Sequence, residues 1–97
     1  MRRQDGAFRY KRGIQASYAR QIYIYGTSLN YENLSEAQQR KIRKLCEKAA
    51  GDHAEALFDF VTTDMTAVAV CMKHHIASRT TLYNAVKIYY ESFPLKI

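Results

Sequence analysis

The chain has 97 residues and a formal net charge of +6, with 15 lysines and arginines against 9 aspartates and glutamates. A chain of this length makes one domain, 1–97, and a hydrophobic content of 47% excludes a compositionally disordered protein. Four glycines and one proline argue against a many-turned β fold. The basic excess indicates a polyanionic partner, and it lies in the N-terminal half. Residues 1–50 carry 11 basic and 4 acidic side chains, whereas residues 51–97 carry 4 and 5.

The first predicted helix covers residues 7–25. Its apolar members recur at helical spacing and form one stripe: Ile14, Tyr18, Ile22 and Tyr25. Gly26 stands where a C-terminal cap is expected, and residues 27–33 read as a loop. We expect the stripe to pack on the core of the protein. A surface for dimerisation is the alternative.

The second predicted helix, 36–50, has a clear start signal and a basic outer surface. Ser35 and Gln38 have the spacing of a capping box, and Gly51 ends the pattern. The residues expected to face inward are Ile42, Leu45, Cys46 and Ala49. The basic residues around them are Arg40, Lys41, Arg43, Lys44 and Lys48.

Three shorter helices follow. Asp52 and Glu55 repeat the capping spacing before a helix over 53–61, and Thr63 or Asp64 is expected to cap the next helix. Residues 65–75 predict a buried helix. Ser78 caps the last helix, which Pro94 ends, and whose inward residues are Leu82, Val86, Tyr89 and Phe93. The sequence therefore predicts an all-α fold of four to five helices, with basic helices in 1–50.

The most informative stretch of the chain is residues 70–86, VCMKHHIASRTTLYNAV. It places a small residue, Cys71, inside one helix, an aliphatic residue, Ile76, five positions later, and a capping serine, Ser78, before the next helix. This pattern resembles the helix-turn-helix of small bacterial regulators, recombinases and sigma-factor-like proteins. The resemblance covers about residues 53–92, with the helix at 53–61 as the first of three.

Two features depart from that pattern. His75 stands where the superfamily usually has glycine, and Ala77 is one extra residue in the turn. The resemblance implies sequence-specific binding of double-stranded DNA, with a recognition helix at about 79–92 whose N-terminal end enters the major groove. It also implies a role as a small transcriptional regulator or as an accessory factor of a phage or mobile element. The expected DNA-binding residues are Ser78, Arg79, Thr80, Thr81, Tyr83, Asn84 and Lys87.

The resemblance also implies a role for each of these side chains. Arg79 would bind guanine with two hydrogen bonds, and Asn84 would bind adenine in the same way. Thr80 and Thr81 suit phosphates or a thymine methyl group, Ser78 suits a phosphate, and Lys87 suits a phosphate better than a base. Tyr83 either contacts DNA or packs under the turn. Auxiliary phosphate contacts are expected from the basic residues Arg40, Lys41, Arg43 and Lys44, and from an N-terminal group comprising Arg2, Arg3, Arg9, Lys11 and Arg12. A homodimer on two half-sites is one way to add affinity.

The sequence leaves two alternatives to DNA binding. A protein-interaction module would use the tyrosine-rich N-terminal helix and the acidic segment 52–64, and the basic half could bind RNA instead. Cys71, His74 and His75 share a helix face but lack a second ligand pair, so no metal site and no cofactor are expected. No nucleophile with an oxyanion-stabilising loop is evident, so we do not expect an enzyme. No secretory signal and no apolar run near 20 residues is present, and the two cysteines suit a cytoplasmic protein.

Overall fold

The computed structural model describes residues 10–97, and these residues form five α-helices with no strand among them. The prediction of an all-α fold with four to five helices is confirmed. Short 3₁₀ turns at Tyr31–Asn33 and Gly51–His53 precede and follow the second helix. The helices are α1 (Tyr18–Leu29), α2 (Glu36–Ala50), α3 (Ala54–Thr62), α4 (Ala67–Lys73) and α5 (Arg79–Ser92).

The N-terminal helix is shorter at its start and longer at its end than the sequence pattern predicts. It begins at Tyr18, because the Ser17 hydroxyl caps it by accepting a hydrogen bond from the backbone N–H of Arg20 at 3.1 Å. Residues 12–16 form turns and bends before it, and residues 7–9 of the predicted helix lie outside the described residues. Gly26 does not end the helix, which continues to Leu29, so the predicted loop over 27–33 is wrong for residues 27–29.

The buried face of α1 also differs from the predicted apolar stripe. Tyr18 is 58% exposed and Ile22 is 41% exposed, whereas the buried residues are Gln21, Ile24 and Ser28. The expectation that the stripe packs on the core is therefore wrong for these two residues. Burying Gln21 and Ser28 is possible because each polar side chain has a partner inside the protein.

Those partners connect α1 to the N-terminal segment and to α5. The Gln21 side chain donates to the carbonyl oxygens of Lys11 at 3.0 Å and Ala16 at 3.1 Å, and accepts from the backbone N–H of Lys11 at 2.9 Å. Ser28 shares a 2.7 Å hydrogen bond with the hydroxyl of Tyr89, and both side chains are almost fully buried. A polar residue thus takes a core position that apolar periodicity alone cannot anticipate.

The second helix is built as its sequence predicts. The Ser35 hydroxyl accepts from the backbone N–H of Gln38 at 3.2 Å, and the Gln38 side chain accepts from the backbone N–H of Ser35 at 2.9 Å. Gly51, with a φ of 56°, ends the helix. Ile42 and Cys46 are buried, and α2 packs against α3 on one side and α5 on another.

The caps of α3 and α4 differ from the predictions. Asp52 and Glu55 form no capping box, because a 3₁₀ turn precedes Ala54 and no side chain caps α3. Thr63 and Asp64 do not cap α4. Its cap is Thr66, whose hydroxyl accepts from the backbone N–H of Ala69 at 3.1 Å. Instead, the Thr63 hydroxyl donates a 2.6 Å hydrogen bond to the carbonyl oxygen of Asp59, four residues earlier, and this bond helps α3 to end at Thr62.

α4 covers only Ala67–Lys73 of the predicted 65–75 and is buried on one face. Val68 is 49% exposed and Met72 is 73% exposed, so the expectation of a buried helix is wrong for its outer side. The five helices pack around one hydrophobic core. This core contains Leu82, Val86, Tyr89 and Phe93, the residues of the last helix that the sequence predicts to face inward. Side chains at 1% exposure or less in this core include Ile24, Ile42, Leu57, Val70, Leu82, Val86 and Tyr89. Each large aliphatic side chain buried in this way contributes about 1.5–3 kcal/mol.

The C-terminal end of α5 is fixed to α1 by Arg20. Its guanidinium donates to the carbonyl of Phe93 at 2.7 Å, to that of Leu95 at 3.2 Å and also to that of Pro94. These carbonyls follow the last turn of α5, where the helix no longer supplies donors for them. The contact holds α1 and α5 together at one end of the protein.

Candidate nucleic-acid interface

The turn between α4 and α5 has a defined geometry that matches the predicted turn residues. The backbone N–H of Ile76 donates to the carbonyl of Cys71 at 2.9 Å, and the N–H of His75 donates to that of Met72 at 3.4 Å. This pair of bonds is a Schellman motif, in which the first residue after the helix cap, the donor of the shorter loop, has a positive φ. His75 is that residue, with a φ of 57°. The position where the superfamily usually has glycine is thus a left-handed position in this chain.

Apolar contacts and a charged cluster support this turn. Cys71 and Ile76, the predicted small and aliphatic residues, are 7% and 8% exposed. One carboxylate oxygen of Asp59 on α3 lies 2.9 Å from Lys73 Nζ and 2.7 Å from His74 Nε2. Burial by itself raises the pKa of Asp59, but the hydrogen bonds and charges of its two partners outweigh this and lower it. The end of α4 is therefore joined to α3 both by packing and by hydrogen bonds.

The predicted recognition helix begins where the sequence places it. The Ser78 hydroxyl accepts from the backbone N–H of Thr80 at 3.1 Å and caps α5. The inner side of α5 is buried through Leu82, Ala85, Val86, Tyr89 and Tyr90. The predicted DNA-binding residues are all exposed: Ser78, Arg79, Thr80, Thr81, Tyr83, Asn84 and Lys87. The structure therefore brings them together on one end and one side of α5.

Most of these side chains have no partner within residues 10–97. There, the side chains of Arg79, Thr80, Thr81 and Asn84 make no hydrogen bond or ion pair to other residues. Tyr83 is 49% exposed, so its ring is not packed under the turn. The first two turns of α5 thus present donors and acceptors that are available to a ligand.

Lys87 differs from its neighbours because it is already paired. Its Nζ lies 2.7 Å from Glu91 Oε2, and the same oxygen accepts from the backbone N–H of Gln15 at 2.7 Å. The hydrogen bonds from Gln15 and Lys87 lower the pKa of Glu91. A phosphate contact by Lys87 would have to compete with this carboxylate.

The N-terminal segment borders the same side of α5, a feature that the sequence did not reveal. Tyr10, Lys11 and Ile14 form one wall of a groove of about 450 Å³, and Tyr83 and Asn84 belong to the other. The Lys11 ammonium lies 5.3 Å from the centre of the Tyr90 ring, and burial lowers its pKa. Of the predicted N-terminal basic group, Lys11 and Arg12 are described, whereas Arg2, Arg3 and Arg9 lie outside the described residues.

The basic residues of α2 lie elsewhere on the protein. Lys41 and Lys44 adjoin Pro94, beyond the C-terminal end of α5, and Lys41 Nζ donates to the carbonyl of Ile97 at 3.2 Å. Arg43 contacts the Tyr31 hydroxyl and Arg40 is exposed. Ser78 is at the other end of α5, about 20 Å away along the axis at 1.5 Å per residue. The structure does not bring these auxiliary residues together with the predicted base-contacting residues.

The acidic side chains of segment 52–64 have different surroundings. Asp59 is engaged with Lys73 and His74, whereas Asp52 and Glu55 border a cavity of about 490 Å³ beside His53. Within residues 10–97 no group of three or more histidine, cysteine or acidic side chains is arranged to hold a metal ion. The helices of these residues also include none with the length and apolar content to cross a membrane.

Both cysteines are buried free thiols. Burial, with a smaller effect of the nearby Glu47 charge, raises the pKa of Cys46 to about 12. The thiolate, the nucleophilic form, is therefore negligible at neutral pH. Cys46 acts as a small apolar residue in the core between α2 and its neighbours.

Comparison of the chain with protein-family models, with curated proteins and with solved structures finds no match, so the helix-turn-helix interpretation depends on the residues and geometry of this chain.

Proposed function

We propose that the protein binds double-stranded DNA in a sequence-dependent manner, with the N-terminal half of α5 in the major groove. The observation that carries the proposal is the exposed polar surface of Arg79, Thr80 and Asn84 at the start of α5, without partners inside residues 10–97. It is presented by a helix whose opposite side is fixed in the core, as a reading helix requires. The left-handed turn at His75 supports the same interpretation.

Each side chain has a role that follows from its chemistry. Arg79 donates in a bidentate manner to O6 and N7 of guanine, and Asn84 pairs with N6 and N7 of adenine. Thr80 and Thr81 bind a phosphate or a thymine methyl group. The hydroxyl hydrogen of Ser78 and the backbone N–H of Arg79 bind a phosphate, since the positive end of the helix dipole lies there and the N–H groups of Thr80 and Thr81 already donate to Ser78.

The charge of α2 supports this function only indirectly. Its lysines lie beyond the far end of α5, so they do not extend the reading surface. They add a positive field that attracts DNA at low ionic strength and fades as salt screens it. Lys11 and Lys87 are the cations that line the groove beside α5, and Arg79 lies at the start of the same helix. A cytoplasmic role as a small transcriptional regulator or mobile-element accessory factor follows from DNA binding and is part of this proposal.

Selection from random duplex DNA, followed by sequencing, tests the proposal. The expected result is an enriched motif that contains guanine and adenine. Binding of the enriched duplex is then measured by fluorescence anisotropy at two salt concentrations. Arg79→Ala and Asn84→Ala should each weaken specific binding about 5- to 150-fold, the equivalent of 1–3 kcal/mol per base contact, and relax the preference at one position.

Arg40→Ala is the matched control, because Arg40 is exposed on α2 and lies outside the proposed reading surface. It should lower binding to specific and non-specific duplexes by the same factor and reduce the salt dependence slightly. If selection enriches no motif, or if the two α5 variants bind the selected duplex as the unaltered protein does, the proposal is refuted.

A further inference from the structure

The outward face of α1 carries no charged side chain, although 25% of the chain is charged. The one charged residue of this helix, Arg20, donates its hydrogen bonds to the carbonyls of residues 93–95. The exposed residues of α1 are Tyr18, Ala19, Ile22 and Gly26. An uncharged strip that includes an isoleucine and a tyrosine is typical of a surface that another molecule covers.

Gly26 has no structural reason within residues 10–97. It lies inside a helix that continues for three more residues, where glycine costs about 1 kcal/mol relative to alanine. Its φ is in the ordinary helical range, and a Cβ built at this position would meet no atom within 4 Å. The space above Gly26 is therefore open to a neighbouring side chain.

The strip is complementary to itself. Tyr18, Ile22 and Gly26 follow one another at intervals of four residues, which places them in one row along the helix. If two such helices cross antiparallel with a two-fold axis at Ile22, the Tyr18 ring of each copy lies over the Gly26 of the other. A large side chain then faces an open position on both sides, as an isologous interface requires.

We propose that two copies of this chain associate through the outward face of α1, in the antiparallel arrangement centred on Ile22. Charge favours a second copy over a basic or acidic partner. The strip has no charge for an acidic or basic partner to pair with. Two copies with a net charge of +6 each also repel least where their facing surfaces are neutral. The pairing does not depend on the proposed DNA binding, because it concerns a different face.

The interface is small. α1 spans about 18 Å at 1.5 Å per residue, and Tyr10, whose ring centre is 6.2 Å from that of Tyr18, extends the strip at one end. A standard interface covers about 800 Å² on each partner, and one helix face supplies only part of that area. We therefore expect a dimer that dissociates in the micromolar range.

The mass in solution without DNA is the first test. Sedimentation equilibrium from about 5 to 200 µM should show a rise from 11.2 kDa toward twice that mass. Ile22→Glu should stay at the monomer mass throughout this range, because two carboxylates would meet at the axis. Val68→Glu is the matched control, since Val68 is similarly exposed on α4, and it should associate as the unaltered protein does. A protein that stays monomeric, or an Ile22→Glu variant that still associates, overturns the proposal.

A Gly26→Ala variant separates association from folding. Alanine favours the helix and meets no internal contact, so the dilute variant should unfold at a higher temperature than the unaltered protein. The added methyl group occupies the space assigned to the partner's Tyr18, so the dissociation constant of the dimer should rise about 10-fold or more. If Gly26→Ala leaves association unchanged, the proposed register is wrong.

Disulfide cross-linking maps the face directly. Ile22→Cys should form a covalent dimer on mild oxidation, because the two-fold axis brings residue 22 of both copies together. The native thiols of Cys46 and Cys71 are buried and should not react. Val68→Cys, an equally accessible position, should stay largely monomeric. Equal cross-linking at both positions would mean that the chains meet by random collision, which refutes the interface even if Ile22→Glu fails to fold.

Discussion

The turn before α5 offers the sharpest test of the structure, because one backbone angle governs it. His75 is the only residue other than glycine with a positive φ within residues 10–97. Its side chain is exposed and forms no hydrogen bond or ion pair with the rest of the described chain. Replacing it by glycine therefore changes the backbone preference and little else.

The expected magnitude follows from two opposing effects. The left-handed conformation costs a residue with a Cβ about 1–2 kcal/mol, and glycine removes this cost. Glycine also gives the unfolded chain more freedom, which costs about 0.5–1 kcal/mol. His75→Gly should therefore stabilise the protein by about 0.5–1 kcal/mol, which raises the melting temperature of a domain of this size by roughly 2–8 °C. His75→Val should destabilise it by more than 1 kcal/mol, because a β-branched residue tolerates positive φ poorly.

Thermal and urea unfolding followed by circular dichroism measure these changes. His53→Gly is the matched control, since His53 is also an exposed histidine but has an ordinary φ of −103°. It removes no left-handed strain, so its effect on stability comes only from chain entropy and from its N-cap position before α3. If His75→Gly is also destabilising, by as much as His53→Gly, then residue 75 is not left-handed in solution. The Schellman turn, and the position of α5 that depends on it, would then be wrong.

Two further predictions concern buried polar groups. Tyr89→Phe should lower the free energy of unfolding, measured in urea, by about 1–3 kcal/mol, because it leaves the buried Ser28 hydroxyl without a partner. Adding Ser28→Ala should restore much of that loss. Additive losses in the double variant would show that the two hydroxyls do not interact. Stability should also fall as the pH rises above 9.0, the ordinary value for Cys46, because the folded state holds that thiol protonated until about pH 12. Cys46 contributes a fall in the free energy of unfolding of about 1.4 kcal/mol per pH unit, and Tyr89 and Tyr90, whose pKa values burial also raises, make the fall steeper above pH 10. Cys46→Ala should therefore flatten the plot of stability against pH between pH 9 and 10. An unchanged plot would contradict the assignment to Cys46.

Local signals in the sequence were sufficient for much of the fold. The capping box of Ser35 and Gln38 and the cap at Ser78 depend on residues three or fewer positions apart, so the sequence contains the whole interaction. The spacing of Leu82, Val86 and Tyr89 likewise predicts the buried side of α5. The prediction of the α4 cap was wrong because several candidate residues stand close together between α3 and α4. Thr66, and not Thr63, lies where its hydroxyl accepts a hydrogen bond from a backbone N–H in the first turn of α4.

The orientation of α1 could not be predicted in this way. Apolar and aromatic residues occur on every side of this helix, so periodicity left more than one face available for the core. The deciding residue is Gln21, which is polar and is buried because the backbone of the preceding segment satisfies its amide. That segment folds back over α1 only in the tertiary structure. Because Gln21 faces the core, Tyr18 and Ile22 face outward and belong to the strip proposed for association.

The sequence by itself determined the helical class, most helix boundaries and the exposed polar residues at the start of α5, because those features depend on neighbours along one helix. Only the tertiary structure decided which surfaces act together. It placed the lysines of α2 beyond the C-terminal end of α5, engaged Lys87 with Glu91, and set the N-terminal segment beside the reading surface. The basic side chains that the structure describes therefore lie on separate parts of the surface, because the positions of helices distant in sequence are fixed only when the core between them forms.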